Sequence, residues 1–398
     1  MRALSRTVCS FERSPIRVML DSAARFPDAI HLEIGQPDFP TPTHIVEAAV
    51  HAARYEYTGY TANAGMIELR RAVTAKLARE NEMVLQPENV MVTMGAMEAV
   101  YASMAVTLDP GDEILVPDPG YGNFVMAAAL LNAISRPYLT LADQGFIPDF
   151  AALEALLSPR TKAMLINSPS NPTGAVYPEW VLRECLDFCQ RHDLYLISDE
   201  TYDRLVFEGQ HVSPARWDEE GRVISIFTTS KTYSMTGWRV GYAVGDAQIM
   251  ATMAKIQEPI VSCVNTVAQH AAIAALLGPQ DCVLEMLAHY RRRRDLAVAL
   301  AGEQGLEVSY PHGAFYLLAD ISSQPRNSLD FCQSLLEAEH VAVAPGCAFG
   351  DLCDRYVRIS LCASDEALTE GLTRLARYLH GPAVEIEDIA ALQQARSV

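Results

Sequence analysis

A lysine and an arginine eight residues apart, Lys231 and Arg239, are the side chains of this sequence that most clearly predict chemistry. A lysine amine binds an aldehyde covalently when its pocket is largely closed to water. The forked guanidinium of an arginine is a natural partner for a phosphate, and glycines 237 and 241 flank Arg239. The pair therefore predicts a site for an aldehyde cofactor with a phosphate tail. Pyridoxal 5'-phosphate, which serves as an electron sink, has that chemistry.

Three further polar segments carry groups that such a cofactor needs. The small residues Gly95-Ala96, followed by Met97, open a predicted helix whose first N–H groups can take a phosphate. Residues 167–174 read Asn-Ser-Pro-Ser-Asn-Pro-Thr-Gly, and residues 198–202 read Ser-Asp-Glu-Thr-Tyr. Taken singly, the first of these two is an ordinary turn signal, and an aspartate at a strand end is more often a helix cap. Their succession along the chain indicates one shared site.

Each of these segments follows a short, continuously apolar run. The runs cover residues 90–93, 113–116, 163–166, 194–197 and 223–227, with helical patterns such as 180–191 between them. Continuous apolar runs suit strands that are buried on both faces, and strand–helix alternation predicts a mostly parallel sheet covered by helices. Ligands of such sheets bind beyond the carboxyl ends of the strands. The sequence thus predicts an α/β fold with its chemistry in these loops.

Composition excludes several classes of protein. Half of the 398 residues are hydrophobic, enough for two closely associated domains, and the net charge of -18 argues against a nucleic-acid or anionic-membrane surface. We find no membrane-length apolar stretch and no apolar core of a secretory signal. The nine cysteines are scattered without metal or disulfide spacing, which predicts a reducing cytoplasm and no metal site. The basic run at residues 291–294 is interpreted as a solvated helix face.

The sequence resembles the class I and II aminotransferases of pyridoxal phosphate fold type I, and within them the branch of aspartate and aromatic aminotransferases. The resemblance covers roughly residues 10–380. Its motifs are Asn171-Pro172-Thr173-Gly174, residues 199–202, Ser230-Lys231, residues 237–241 and Arg358-Ile359-Ser360. It implies a large domain over 46–285 with a mostly parallel seven-stranded sheet and helices on both faces. It also implies a smaller α+β domain from 1–45 and 286–380, and a tail at 381–398.

The resemblance also implies roles for the polar residues. Lys231 is similar to the lysine that forms a Schiff base with the cofactor and then carries a proton during catalysis. Asp199 is similar to the carboxylate that keeps the pyridine nitrogen protonated. Tyr202 and Asn171 correspond to the hydrogen-bond partners of the cofactor's 3'-oxygen, and Tyr121 to the aromatic residue stacked on its ring.

Further residues are implied for the phosphate and for the partner subunit. The phosphate would lie on the backbone of Ala96 and Met97, beside Arg239. Thr228 stands where the family usually has a serine that binds the phosphate, and it keeps the hydroxyl. Tyr60 would reach the phosphate from a neighbouring subunit, so the resemblance implies a homodimer with a shared site.

For the substrate, Arg358 resembles the bidentate clamp on the α-carboxylate, helped by Asn171 and the backbone of Gly35. Aspartate-specific bacterial relatives of this branch have a lysine where this chain has Met97, and a thioether cannot pair with a distal carboxylate. We therefore expect neutral or aromatic amino donors to be favoured over aspartate. An arginine from elsewhere in the chain could restore binding of an acidic donor.

The sequence thus predicts a pyridoxal phosphate-dependent transaminase that moves an amino group from an L-amino acid to a 2-oxo acid. The same core also serves lyases, decarboxylases, cyclases and oxidases of specialised amino-acid metabolism. After the proton on Cα is lost, the outcome depends on which bond aligns with the cofactor's π system, and no motif records that alignment. A ligand sensor on this fold is a further alternative, although such a sensor would normally carry a DNA-binding domain.

Overall fold

The structure, a computed structural model, describes residues 2–381 except residues 3, 10, 12 and 56. Residues 382–398, most of the predicted tail, lie outside the described residues. The strands are β1 (Ile30–His31), β2 (Val90–Thr93), β3 (Glu113–Asp118), β4 (Ile134–Leu139), β5 (Thr161–Asn167), β6 (Tyr195–Asp199), β7 (Val223–Thr228), β8 (Gly241–Val244), β9 (Tyr316–Asp320), β10 (Val341–Ala342), β11 (Ala344–Pro345) and β12 (Tyr356–Ser360).

Helices separate most of these strands. They are α1 (Arg6–Cys9), α2 (Pro15–Ala23), α3 (Thr43–Arg54), α4 (Ile67–Glu80), α5 (Ala96–Thr107), α6 (Asn123–Leu130), α7 (Phe150–Glu154), α8 (Glu179–Arg191), α9 (Ala247–Ile260), α10 (Thr266–Leu277), α11 (Asp281–Glu303), α12 (Ser328–Glu339) and α13 (Asp365–His380). Short 3-10 helices span Pro87–Asn89, Ala142–Gln144, Pro214–Trp217, Thr236–Trp238, Gly346–Phe349 and Asp351–Arg355.

Seven strands form one large sheet in the order β2-β8-β7-β6-β5-β3-β4. All neighbouring pairs are parallel except the two that involve β8, which runs antiparallel to both β2 and β7. The predicted mostly parallel α/β sheet is confirmed, and each of the five apolar runs forms a strand. The runs did not reveal β4 and β8, because β4 is a half-exposed edge strand and β8 has only four residues.

Alternating side chains along each strand pack against helices on opposite faces of this sheet. In β6, Leu196 lies in a cluster with residues of α8, whereas its neighbour Ile197 packs with residues of α5. In β2, Val90 and Val92 pack with α4 and α10, while Met91 packs on the α5 face. This period of two explains why the strands read as unbroken apolar runs: both faces are buried.

Strand register brings the predicted polar segments to a common edge. The last residue of β5, Asn167, pairs with the last residue of β6, Asp199. At the same edge β7 ends at Thr228, which pairs with Gly241 at the start of β8. Because β8 begins where β7 ends, the chain between them, which carries Lys231 and Arg239, stays at the carboxyl edge of the sheet.

A second, three-stranded antiparallel sheet has the order β11-β12-β9, and β1 pairs in parallel with β10. Residues from α2, α11, α12 and α13 pack with these strands in a hydrophobic core of their own. Arg358 lies in β12, so this sheet supplies the predicted carboxylate clamp. The division into domains at residues 45/46 and 285/286 stays a prediction.

No single described helix is long and apolar enough to cross a membrane. One bent pair, α10 and α11, meets that criterion by length and composition together, with an angle of 79° between the two helices. Within the described ranges no group of three or more His, Cys, Asp or Glu side chains could hold a metal ion. None of the nine cysteines, all of which lie within the described ranges, forms a disulfide bond.

The basic run at residues 291–294 is only half exposed, so the interpretation as a solvated face was wrong for two of its four residues. Arg293 and Arg294 are buried, while Arg291 and Arg292 face outward. Arg293 donates to both carboxylate oxygens of Asp38, at 2.8 and 2.7 Å. A forked pair of this kind needs defined geometry, and it ties α11 to the segment that follows Gly35.

We predict that Arg293→Met destabilises the protein, because it leaves the Asp38 carboxylate without its forked partner. The side chain of Asp38 is 30% exposed, so water partly compensates, and the expected loss is about 2 kcal/mol rather than the full cost of breaking a buried pair. Urea unfolding followed by fluorescence and circular dichroism measures the change.

Arg291→Met is the matched control, since Arg291 is exposed in the same helix turn. We expect its unfolding midpoint to equal that of the wild type. Equal midpoints for both variants would contradict the role given to the Arg293–Asp38 pair.

Candidate active site

A cavity of about 690 Å³ lies at the carboxyl edge of the large sheet. It is lined by every residue that the sequence analysis assigned to cofactor or substrate, apart from Tyr60. These residues are Gly35, Ala96, Met97, Tyr121, Asn171, Asp199, Tyr202, Thr228, Lys231, Arg239 and Arg358. Tyr60 lies outside this cavity and is 93% exposed. Residues from both sheets therefore meet around one cavity.

Asp199 brings a buried carboxylate to this cavity at the end of β6. One of its oxygens accepts hydrogen bonds from the hydroxyl and the backbone N–H of Thr201, at 2.6 and 3.1 Å. Burial raises the pKa of Asp199 to about 6, and the two hydrogen bonds from Thr201 oppose that rise. A buried carboxylate is stabilised by a nearby cation or by a shared proton. A protonated ring nitrogen fits this requirement.

Lys231 follows β7 after a two-residue connection and extends its amine into the cavity. The Nζ atom donates to the backbone carbonyl of Gly35 at 2.7 Å. Burial is the main reason that the pKa of Lys231 is lowered to about 8, and the charges of Arg358 and Arg239 contribute in the same direction. A larger neutral fraction near pH 7 is what an amine needs to bind an aldehyde.

The start of α5 forms a cradle closed by glycines. The helix begins after Gly95, which has a φ of +81° and provides no side-chain cap for the first N–H groups. A Cβ added at Gly95 would lie 2.5 Å from Nη2 of Arg239, and one at Gly241 would lie 2.8 Å from the Ala96 nitrogen. Backbone and guanidinium therefore approach one another more closely than side chains at these positions would allow. Free helix N–H groups beside an arginine suit a phosphate.

Arg239 and Thr228 complete this cradle. Arg239 has a left-handed backbone, with a φ of 56°, and its guanidinium donates to the carbonyls of Thr236 and Met94 at 3.0 and 3.2 Å. The Thr228 hydroxyl lies 2.9 Å from the Val240 carbonyl and 3.0 Å from the Ser230 hydroxyl. The replacement of the usual serine by Thr228 thus keeps a hydroxyl at the cavity, next to a second one on Ser230.

Arg358 presents a buried guanidinium to the other side of the cavity. It donates to the side-chain oxygen of Asn171 at 2.9 Å and to the Glu33 carbonyl at 2.5 Å. Its Nε has no hydrogen-bond partner among the described residues. A buried cation that donates its hydrogen bonds to neutral oxygens favours an anionic ligand. A carboxylate supplies that charge.

Two tyrosines contribute to the cavity wall from different parts of the chain. Tyr121 follows β3, and its hydroxyl accepts a hydrogen bond from Asn123 at 2.9 Å. The hydroxyl of Tyr202, in the loop after β6, lies 3.0 Å from that of Tyr316. Burial raises the pKa of both Tyr121 and Tyr202, so both phenols stay protonated at neutral pH.

Sequence reasoning missed several residues of this wall. Tyr316 begins β9 inside the apolar stretch Phe-Tyr-Leu-Leu, where the pattern predicts only a buried strand. Arg17 and Leu20 reach the cavity from α2, whose amphipathic pattern contains no signal for a site. In the sequence, Ser230 stands out only as the neighbour of Lys231.

These features together fit pyridoxal 5'-phosphate. Lys231 would hold its aldehyde, Asp199 its ring nitrogen, and the α5 cradle with Arg239 its phosphate. The burial of Asp199, which Thr201 compensates only in part, and the glycine-closed cradle are the observations that support this fit.

Comparison with known proteins agrees with this interpretation. The family described as "Aminotransferase class I and II" matches residues 27–375. An aspartate/prephenate aminotransferase of Thermus thermophilus is 38% identical over 389 residues, covering 95% of this chain and 99% of that protein. The solved structure of the Thermus thermophilus aspartate aminotransferase with maleate superposes with a TM-score of 0.91 at 37% identity, over 95% of this chain and 100% of that one.

A third comparison is with the aromatic aminotransferase from Pyrococcus horikoshii. Its structure has a TM-score of 0.86 at 36% identity and covers 91% of this chain and 98% of that one. Fold type I is thereby confirmed for this chain, as is the predicted cofactor class. The chain belongs to the class I and II aminotransferases, a family of pyridoxal 5'-phosphate-dependent transaminases.

Proposed function

We propose that this transaminase works in two half-reactions at the cavity between the two sheets, with Lys231, Asp199 and Arg358 in the central roles. In the first, an L-amino acid would give up its amino group and leave as a 2-oxo acid; in the second, another 2-oxo acid would accept that group and leave as an amino acid. The observation that carries this proposal is the shared cavity, in which a buried carboxylate, an amine with lowered pKa and a buried guanidinium line one space. Each of the three side chains is attached to a different element: Asp199 to β6, Lys231 to the loop after β7, and Arg358 to β12. Its direction into the cavity is therefore set by that element.

The bound cofactor supplies a ring that withdraws electrons from the substrate's Cα. The Nζ of Lys231 donates to the Gly35 carbonyl at the cavity wall. It would be the base that takes the proton from the substrate's Cα and delivers it to the C4' atom of the cofactor. The Asp199 carboxylate would keep a proton on the ring nitrogen. Tyr202 and Asn171 would donate hydrogen bonds to the ring's phenolic oxygen, and Tyr121 would pack against the ring face.

Arg358 binds the α-carboxylate of the amino acid through its guanidinium, with Asn171 and the Gly35 backbone beside it. The ring of Tyr316 lies beneath this guanidinium, with 4.2 Å between the guanidinium carbon and the ring centroid. The hydrogen bond to Asn171 and the aromatic ring both limit the directions in which the guanidinium can move. Substrate orientation at Cα follows from this fixed clamp.

We further propose that a second copy of the chain completes the site. Tyr60 is 93% exposed and outside its own cavity, which supports a role in a neighbouring cavity, where it would reach the phosphate. A homodimer with two shared sites follows from that exchange. The lack of disulfide bonds among the described cysteines supports a cytoplasmic location, since that compartment keeps thiols reduced.

The proposed donors are neutral or aromatic amino acids, because Met97 offers an apolar, polarisable thioether at the cavity wall. A second candidate is an acidic donor. It is favoured by Arg17, which lines the same cavity from α2, and by the relative named for aspartate and prephenate. The two candidates differ in which of these two side chains the donor's side chain meets.

A single-turnover assay tests the reaction itself. The holoenzyme is mixed with an amino-acid panel in the absence of any oxo acid, and the products and the cofactor spectrum are followed. Transamination gives one equivalent of oxo acid and the pyridoxamine form of the cofactor. Release of ammonia, pyruvate or carbon dioxide over many turnovers would instead indicate the lyase or decarboxylase chemistry of this fold.

We predict that Lys231→Ala lowers turnover by roughly a thousandfold or more, because the variant loses both the cofactor-binding amine and the proton carrier. The circular dichroism spectrum should remain that of the folded wild type. Borohydride reduction of the wild-type holoenzyme followed by peptide mapping should label Lys231.

Lys255→Ala is the control, since Lys255 is an exposed lysine of α9. Its turnover should match that of the wild type. Labelling of Lys76, Lys162 or Lys255 in place of Lys231 would show that the wrong lysine has been assigned.

We predict that Asp199→Asn slows the half-reaction by about a hundredfold or more while cofactor affinity falls only modestly. An amide cannot hold the proton on the ring nitrogen, whereas the phosphate cradle is unchanged. Stopped-flow absorbance measures the half-reaction, and fluorescence titration of the apoenzyme measures cofactor affinity. A half-reaction at the wild-type rate would refute the role of Asp199.

We predict that Met97→Lys raises the ratio of kcat/KM for aspartate to that for leucine, because it places a cation near a distal carboxylate. The gain should be modest, about fivefold, since an ion pair open to water contributes at most about 1 kcal/mol. Arg17→Met is the complementary variant: it removes a cation that lines the same cavity from α2.

If the donor is neutral or aromatic, the first candidate, the wild type prefers alanine, leucine or phenylalanine. Arg17→Met then changes the ratio of kcat/KM for aspartate to that for leucine only a little. Aspartate as the best donor by tenfold, with that preference lost in Arg17→Met, would refute the first candidate and favour the second.

A further inference from the structure

Tyr316 is a buried residue of the cavity wall that connects the cofactor side of the site with the substrate side. It begins β9 in the three-stranded sheet, and its register partner in β12 is Ser360. Its side chain lines the cavity while the residue as a whole is only 2% exposed.

Three contacts define its position. The Tyr316 hydroxyl lies 3.0 Å from the Tyr202 hydroxyl, and its ring lies under the Arg358 guanidinium. A Cβ added at Gly35 would lie only 1.7 Å from the Tyr316 hydroxyl oxygen, so that hydroxyl is in close contact with the Gly35 backbone. One side chain thus touches a residue proposed to bind the ring oxygen and two that are proposed to bind the substrate carboxylate.

The direction of the hydrogen bond between the two phenols follows from what Tyr202 must do. Each hydroxyl has one proton, so Tyr202 can donate to the ring oxygen of the cofactor only if Tyr316 is the donor between the two tyrosines. Donation from Tyr316 polarises the Tyr202 hydroxyl and strengthens its own donation. Burial raises the pKa of both phenols and the Arg358 charge lowers it in both, so the donor is set by the demand on Tyr202 and not by this charge.

We propose that Tyr316 is a positioning residue that orients the Tyr202 hydroxyl through a donated hydrogen bond and supports the Arg358 guanidinium with its ring. This inference rests on the proposed role of Tyr202. The hydroxyl and the ring have separate tasks: the hydroxyl acts through Tyr202 on the cofactor, and the ring acts through Arg358 on the substrate.

Tyr316→Phe separates these tasks, because it removes the hydroxyl and keeps the ring. A hydrogen bond from Tyr202 stabilises the negatively charged form of the ring oxygen, so weaker donation shifts the pH at which the visible absorption of the holoenzyme titrates. We expect this midpoint to rise by about half a pH unit to one pH unit, with KM for the amino acid within about twofold of the wild type. Tyr316→Leu, which also removes the ring, should in addition raise KM by about tenfold.

Two further variants make the result specific. Tyr138→Phe is the matched control: Tyr138 is equally buried, and its hydroxyl donates to the Leu165 carbonyl at 2.9 Å, outside the cavity wall. It should leave the spectral titration unchanged. Tyr202→Phe should raise the midpoint more than Tyr316→Phe does, and the double variant Tyr202→Phe/Tyr316→Phe should match Tyr202→Phe alone, because Tyr316 acts through Tyr202.

The outcomes separate this inference from the proposed function. If Tyr202→Phe shifts the midpoint and Tyr316→Phe does not, Tyr202 keeps its role and the inference about Tyr316 is overturned. If the two shifts add in the double variant, Tyr316 does not act through Tyr202, which also overturns it. If Tyr202→Phe leaves the midpoint unchanged, the proposed role of Tyr202 is wrong and the inference falls with it. Melting temperatures of the apoenzymes, measured in parallel, exclude loss of the fold as a cause.

Discussion

Burial of the Asp199 carboxylate is the constraint on which the rest of the site depends. A carboxylate removed from water needs a cation or a proton nearby, and the two hydrogen bonds from Thr201 leave much of that need unmet, since its pKa is still raised to about 6. A cofactor ring with a protonated nitrogen meets that need. The fold therefore maintains an unfavourable charge at one point of the cavity, and binding of the right cation relieves it.

The parallel sheet is what places this charge. The chain leaves β5, β6 and β7 at the same edge of the sheet. The parallel pairing alone therefore brings together the loops after Asn167, Asp199 and Thr228. The single antiparallel strand β8 adds a second contribution, since it starts at this edge with Gly241 and keeps Arg239 beside α5. Arg358, the proposed carboxylate clamp, lies in a separate sheet, so in this proposal the relative position of the two sheets decides how an amino acid is oriented over the cofactor.

Much of this arrangement could be predicted from the sequence, because its signals are local. A continuously apolar strand followed by a polar loop is visible in the chain, and parallel topology then brings Asp199 and Lys231 together. Tyr316 gave no such signal, since a tyrosine in an apolar strand looks the same whether its hydroxyl contacts a phenol or a backbone carbonyl. The burial of Arg293 gave no signal for a related reason. Four consecutive arginines are typical of a solvated face, but the helix turns two of them inward. There Arg293 binds Asp38, which is more than 250 residues away in the sequence. Contacts between distant segments are the part that sequence patterns did not contain.

The central claim is that Asp199 holds a proton on the ring nitrogen of the bound cofactor. The most direct test is the nitrogen-15 chemical shift of holoenzyme reconstituted with pyridoxal phosphate labelled at that nitrogen, measured at about pH 7.5. Free pyridines are largely unprotonated at this pH, so a protonated nitrogen requires a stabilising carboxylate. We expect the shift of a protonated pyridine in the wild type and that of an unprotonated one in Asp199→Asn. An unprotonated shift in the wild type would contradict it.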